Sequence, residues 1–332
     1  MNASHGVPPG RTRAVASFLV ATLAVLTVVG TGAGQVGSAS PWRSAPSMPT
    51  PRSEMHAAYL DGTVYVPGGL GPDGTVDAFE ALDVATGSWT VLPPLPEPVH
   101  HAGVTAAAGR IVVTGGYRDL EFRTDHAAVW AFDPDAAAWE RMPDMPGPRA
   151  AHVTVTVDGV VHVIGGVGAA SSEVWRLEVA SGTWLEPAAP LPTPREHLAA
   201  AVVDGTVHVV GGRWPGRGNL GAHEAYDPDH DSWTPLPPLP TPRSGLTAGA
   251  VAGRIHVVGG EALDSSRTFS DHEVFDPGRN AWTRTEPLPS ARHGIASAGP
   301  DDAWFVIGGA TGAGWDTFTT LVDAVDVWDS TR

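Results

Sequence analysis

TVYVPGG (Thr63–Gly69) is a short alternating apolar run that ends in two glycines. It recurs as RIVVTGG (Arg110–Gly116), VVHVIGG (Val160–Gly166), TVHVVGG (Thr206–Gly212), RIHVVGG (Arg254–Gly260) and AWFVIGG (Ala303–Gly309). The first glycines of these doublets lie 47, 50, 46, 48 and 49 residues apart. Six copies at a near-constant period make the repeat itself the unit of folding.

The fourth copy shows what one unit contains. Leu198–Val203 reads as a strand, Asp204-Gly205 as a turn and Thr206–Val210 as a second strand. Asp-Gly between two such runs predicts a hairpin, because a type I′ turn needs positive φ at both central residues. Glu224–Tyr226 reads as a third strand, ended by Asp227-Pro228 because proline donates no ladder hydrogen bond. A fourth strand carries Trp233 and stops at LPPLPTPR, which ends in Arg243. Four short antiparallel strands repeated six times around an axis describe an all-β, six-bladed propeller.

The spacings inside the repeat sharpen this. Asp83, Asp133, Glu178, Asp227 and Asp276 each stand six residues before a tryptophan, and the turn stands six residues before every doublet. Only the interval between doublet and third-strand acid varies, from 12 to 20 residues. Length variation confined to one loop per repeat places the insertions on one face, the usual binding face of repeat proteins. The last repeat ends in its third strand, VDVWDS (Val325–Ser330), while PWRSAPSMPTPR (Pro41–Arg52) is a fourth strand without the three before it. The N-terminal strand is therefore expected to complete the sixth blade and close a ring spanning residues 41–332.

Composition narrows the chemistry. Cysteine is absent, so disulfides and thiol catalysis are excluded. All 20 basic residues are arginine, which removes Schiff-base lysines and the P-loop lysine. A net charge of −16 argues against nucleic acid as a partner. Arg11 and Arg13 precede an uncharged apolar run, Ala14–Val29, followed by the small residues Gly30–Ser40. This is the pattern of a secretory signal, here assigned to residues 1–39. The expected location is extracellular, without membrane insertion after cleavage; an uncleaved N-terminal anchor is the alternative, although the run is shorter than a typical span.

The doublets, the third-strand Asp-Pro and the tryptophan offsets resemble the kelch repeat, across essentially all of Pro41–Arg332. PTPREHLAAAVVDGTVHVVGGR (Pro192–Arg213) and RHGIASAG (Arg292–Gly299) look like exported bacterial kelch proteins, which are called galactose-oxidase-like on fold alone. The resemblance does not carry that copper activity here, since its site needs a cysteine-crosslinked tyrosine.

Candidate site residues follow from the repeat. Arg52, Arg149, Arg195, Arg243 and Arg292 stand 16 residues before their doublets, with Val99 in the sixth position. A radial repeat sets equivalent positions on a ring, and guanidiniums at one mouth would bind carboxylate or phosphate. The resemblance implies ligand contact at this offset in kelch domains that bind acidic peptides. The structural alternative is that each arginine ties its own blade together. Among the loop residues, Arg118, Trp214 and Trp315 suit a sugar- or peptide-binding face. Six histidines crowd the arginine positions, at offsets of +4 (His56), +1 (His100), +2 (His101), +3 (His152), +2 (His197) and +1 (His293). Such scatter argues against a ring of metal ligands, and His100-His101 would point to opposite faces of a strand. No metal or cofactor is expected. Finally, Glu261 and Arg267 are similar to the glutamate and arginine thought to act in N-acetylneuraminate epimerase.

Three functions are consistent with these residues. The first is an exported binding module for an anionic protein or carbohydrate ligand at the loop face. The second is a sugar-acid mutarotase using Glu261 and Arg267 as its catalytic pair. The third is a structural cell-surface interaction domain.

Overall fold

A computed structural model describes residues 40–331 except Thr124 and Ala170; the expected signal segment, residues 1–39, lies outside the described residues. Six four-stranded antiparallel sheets form the blades. Blade 4 runs Ala199–Val203, Thr206–Val210, His223–Asp227 and Ser232–Pro235, so its third strand is longer than the expected Glu224–Tyr226. Asp204 (φ 48°) and Gly205 (φ 75°) are both left-handed, as the type I′ turn requires.

Closure occurs as expected. Trp42–Ala45 pairs antiparallel with Val325–Asp329, in the register Trp42↔Trp328 to Ala45↔Val325, and completes blade 6. The repeat tryptophans reinforce it. In each blade the outer-strand indole donates to a backbone carbonyl of the neighbouring blade, from Trp89 to Pro46 (2.9 Å), through Trp233 to Ala189 (2.8 Å), to Trp42 on Glu286 (3.0 Å). Trp42 thereby does for the last blade what the other tryptophans do for theirs.

The core is divided among the blade interfaces. Between blades 1 and 2, for example, Tyr65, Phe79, Val104, Ile111 and Phe132 pack together, and between blades 4 and 5 Ala199, Ala201, Ile255, Val257 and Phe275 do. The alternating middle strands supply one face to each interface, which is why the sequence alternates so regularly.

The glycine doublets sit where neighbouring blades meet at their closest. Gly259 (φ 66°) and Gly260 (φ 111°) are both left-handed, and a Cβ on Gly259 would lie 2.7 Å from the carbonyl oxygen of Arg292. The amide of Gly260 donates to that same oxygen at 2.9 Å. Only a residue without a side chain allows the bond.

The loops hold elements that the sequence did not suggest. Small two-stranded ribbons extend from three of them: Leu70–Gly71 with Gly74–Thr75, Arg213–Trp214 with Gly218–Asn219, and Glu261–Ala262 with Arg267–Thr268. Gly314–Thr319 forms a 3-10 helix in the longest loop. No helix among the described residues is long and apolar enough to cross a membrane.

Candidate functional site

The five ring arginines are not at the mouth. All are fully buried inside the blades. Arg243 donates to the carbonyl of Gly259 (2.7 Å), to that of Thr241 (2.9 Å) and to the carboxylate of Glu273 (2.5 Å). Arg195 repeats the pattern with Gly211 and Glu224, Arg52 with Gly68 and Glu80, and Arg292 with Gly308 and Asp326. Arg149 donates to the carbonyls of Glu173 and Ala169 and lies 3.5 Å over the Trp175 ring. A guanidinium spent on the carbonyls and carboxylate of its own blade offers nothing to a ligand, which corrects the expectation of a binding ring. The signal was present in the sequence. Three residues before the third-strand acid stand Glu80, Glu224, Glu273 and Asp326 in four of the five blades with an arginine. The fifth, that of Arg149, has Trp175 there, and the blade with Val99 has Trp130.

The mouth is built two residues further along. Glu54, His101, Ala151, His197, Gly245 and Gly294 occupy equivalent positions, all with φ between 51° and 61°. Each amide donates to the carbonyl of the equivalent residue in the preceding blade, at 2.8–3.0 Å, and the amide of Glu54 donates to Gly294 to close the circle. Six left-handed residues thus make a continuous hydrogen-bonded girdle about the axis. Glycine adopts this conformation freely; glutamate and histidine hold it at some cost.

On the loop side of the girdle lies a cavity of about 530 Å³. Glu54, His101, His197, Arg213, Glu261 and His293 line its floor, and Phe122, Leu263, Trp315 and Phe318 its walls. The floor is a connected polar network. Arg213 donates to Glu196 (2.6 Å), Glu261 (2.6 Å) and the Nε2 of His197 (3.1 Å). Glu261 also accepts from the amide of Gly314 at 2.9 Å. His293 places Nδ1 between Glu54 (3.3 Å) and Glu261 (3.5 Å), while its Nε2 donates to the carbonyl of Gly312.

Mutual compensation sets the charges. Burial would raise the Glu54 carboxyl, but His101 and His293 outweigh it and hold it well below the ordinary carboxylate range. Glu196 falls to about 2 because His197 and Arg213 together overcome its burial. Burial alone would lower His293, yet Glu54 and Glu261 raise it. His101 is lowered, chiefly by burial.

His101 and His197 share the +2 offset, as His100 and His293 share +1, and the +2 pair meets, Nε2 to Nε2 at 3.0 Å. Glu54 Oε2 lies 3.1 Å from His101 Nε2, so the three residues offer ligand atoms all within 4.8 Å of one another. Counting every residue type at +2, rather than histidines alone, would have brought in Glu54. The expectation that His100 and His101 diverge also fails. His101 is left-handed (φ 55°) rather than extended, so its Nδ1 turns back onto Nδ1 of His100.

The remaining candidates scatter. Trp315 is 71% exposed at the rim, with Phe122 of the blade 2 loop 6.0 Å from it, centroid to centroid. Trp214 lines a separate hollow with Pro215 and Asp264. Arg118 pairs with Glu97 at the surface. Glu261 and Arg267 do not form a pair: Arg267 stands opposite Ala262 in the ribbon, so it shares the other face, where it is 61% exposed. The arginine that meets Glu261 is Arg213.

The central channel on the other side of the girdle is lined mainly by alanine, valine and threonine from the innermost strands, with His56, Tyr59, Asp301 and Trp304 among them.

Comparison with known proteins agrees with this architecture. The family model for the KLHDC2/KLHL20/DRC7 Kelch-repeats domain matches residues 35–166 and 143–309. The chain belongs to the kelch-repeat family. It is similar to the Kelch-like protein terF of Aspergillus terreus, 31% identical over 163 residues, which cover 44% of this chain and 35% of that protein. Beta-scruin of Limulus polyphemus is 29% identical over 130 residues, 38% of this chain and 14% of scruin. These kelch matches thus span well under half the length of the relatives. The solved structure of YjhT superposes with a TM-score of 0.73 at 20% identity, covering 85% of this chain and 95% of that one, a likeness of fold. Kelch-repeat relatives typically serve as protein-interaction modules, with which a binding role for this propeller is consistent.

Proposed function

We propose that this kelch propeller is an exported binding module whose loop face takes a protein partner, with a projecting group of that partner entering the mouth cavity. The observation that carries the reading is the rim. Leu120, Phe122, Leu263 and Trp315 are exposed large apolar side chains on three different insertion loops, around or beside a cavity whose floor is buried and polar. Apolar anchors around a polar pocket are what recognition by a few strong contacts requires. The anionic preference first drawn from the arginine ring loses its basis, since those arginines are spent inside the blades. At the floor, Arg213 already donates to Glu196, Glu261 and His197, and Glu54 adds a further carboxylate, so the inserted group is best a hydrogen-bond donor. Export rests on the Arg11–Ser40 pattern alone.

A carbohydrate ligand is the second reading, favoured by Trp315 stacked on Phe318 (6.0 Å, 24°) beside those carboxylates. The mutarotase reading loses its pair. One experiment compares wild-type protein with Trp315→Ala and Phe122→Ala, on a glycan array and in capture from cell-surface extracts. Retention of a protein that neither variant retains supports the first reading, and glycan binding lost in the variants supports the second. Equal capture by all three proteins sinks the assignment of the mouth.

A further inference from the structure

We propose that Glu54, His101 and His197 hold a divalent first-row transition-metal ion, of the zinc type, with one coordination position open to the mouth cavity. The argument starts from protons. His100 Nε2 lies 2.9 Å from the carbonyl of Asp119, which can only accept, so this nitrogen carries the hydrogen. Its Nδ1 is then the acceptor for Nδ1–H of His101, and the Nε2 lone pair of His101 faces the cavity floor. On the other side, Nδ1 of His197 donates to the Glu196 carboxylate. Its Nε2 carries no hydrogen, since it accepts from Arg213 at 3.1 Å. An ion would take this lone pair in place of that contact, while Arg213 keeps its bonds to Glu196 and Glu261.

Two imidazole nitrogens and a carboxylate oxygen therefore converge, separated by 3.0 Å and 3.1 Å along the chain of contacts; Arg213 donates to His197, and no donor lies between His101 and Glu54. The His101 lone pair and the Glu54 carboxylate repel at this distance unless a cation lies between them. Atoms ~2.0–2.1 Å from one tetrahedral ion lie ~3.3 Å apart, close to the spacing seen. Two histidines and one carboxylate make a three-ligand set that leaves a position for water or ligand. The supporting shell is of the expected kind, with Glu196 orienting His197 and the His100–Asp119 relay orienting His101.

The girdle supplies an independent observation. Gly245 and Gly294 occupy two of its six left-handed positions, and glycine would suit all six. Four positions instead carry side chains at the cost of strain; Ala151 offers no ligand atom, and the other three, Glu54, His101 and His197, are the ones that meet. The excess of carboxylate at the floor is also what a divalent ion would neutralise. A shared proton on His101 could fill the same gap, and the experiment must separate the two.

The test uses the whole protein, stripped with chelator, dialysed and titrated with Co²⁺ and with Zn²⁺. The expected result is one equivalent bound, with visible cobalt bands of a four- or five-coordinate ion and displacement by Zn²⁺. Glu54→Gln and His197→Gln should each weaken binding by at least ~100-fold, and His100→Ala by ~10–100-fold through His101. Far-ultraviolet circular dichroism shows that each variant remains folded, and the wild-type titration stands even where one does not. Azide should shift the cobalt bands. Absence of stoichiometric binding, as a shared proton predicts, overturns the site, as does binding that both Gln variants retain. Bands indifferent to azide overturn the open position.

Discussion

Two rings of positions run around the axis of this propeller only two residues apart along the chain, and they differ in kind. The first is nearly uniform: Arg52, Arg149, Arg195, Arg243 and Arg292, with Val99 as its single departure. Every arginine in it is buried and engaged within its blade. The second ring reads Glu54, His101, Ala151, His197, Gly245 and Gly294, uniform in backbone and varied in side chain. Its polar members face the cavity. In a radial repeat, a side chain kept in every unit answers a need that every unit has, which is to hold itself together. Function requires the units to differ.

The largest expected effect tests the first ring. Arg243→Ala leaves the Glu273 carboxylate, whose side chain is fully buried, without its main partner. Stranding a buried charge costs ~3–5 kcal/mol, enough to lower the melting temperature by on the order of 10 °C. Thermal and urea unfolding check it. A variant that keeps its stability but loses ligand binding would reverse the comparison and return the arginines to the mouth.

The histidines divide in the same way. Inside the blades, His208 donates to His223 (3.0 Å) and His256 to His272 (2.9 Å), while His223 and His272 donate onward to the carbonyls of Pro237 and Glu286. Burial holds His208 and His256 at about 4 and His223 and His272 at about 3. In the unfolded chain such groups titrate near ~6.5. The unfolded state therefore binds more protons below that pH, and stability falls as pH drops from ~6.5 towards 4. Their contribution is complete above ~6.5 and exhausted below the folded values. Replacing His208 and His256 by glutamine should flatten this acid slope in pH-dependent urea unfolding. An unchanged slope would mean that these pairs are not the neutral, structural histidines that set them apart from the mouth.

Much of this was legible in the sequence, for physical reasons. Blade number, the closing strand Trp42–Ala45 and the loop face follow from periodicity, because every blade must bury the same faces and turn at the same places. The site was harder to read. The pairing of arginine with an acid in the third strand was visible at Glu80, Glu224, Glu273 and Asp326, but it becomes a contact only when the strands align. The meeting of Glu54, His101 and His197 depends on six left-handed residues turning those side chains inward, and a strand-based alternation rule gives the wrong direction for His101. Arg213 and Glu261 hold the same place in adjacent repeats, directly after the doublet, where Leu70, Tyr117, Val167 and Ala310 stand in the others. The offset was visible, but the contact between blades appears only once the ring closes.

The smallest expected effect bears on the second ring from outside. Trp315 is mostly exposed, on a loop rather than in a blade, and touches Phe122 and Phe318 at the rim. A surface side chain remote from the core changes stability by no more than ~0.5 kcal/mol when truncated. Trp315→Ala should therefore unfold at the same denaturant concentration as wild type while losing ligand affinity by ~10-fold or more, as removal of an aromatic anchor does. The opposite result, lost stability with unchanged binding, would make the aromatic rim a structural roof. The two rings would then share one role.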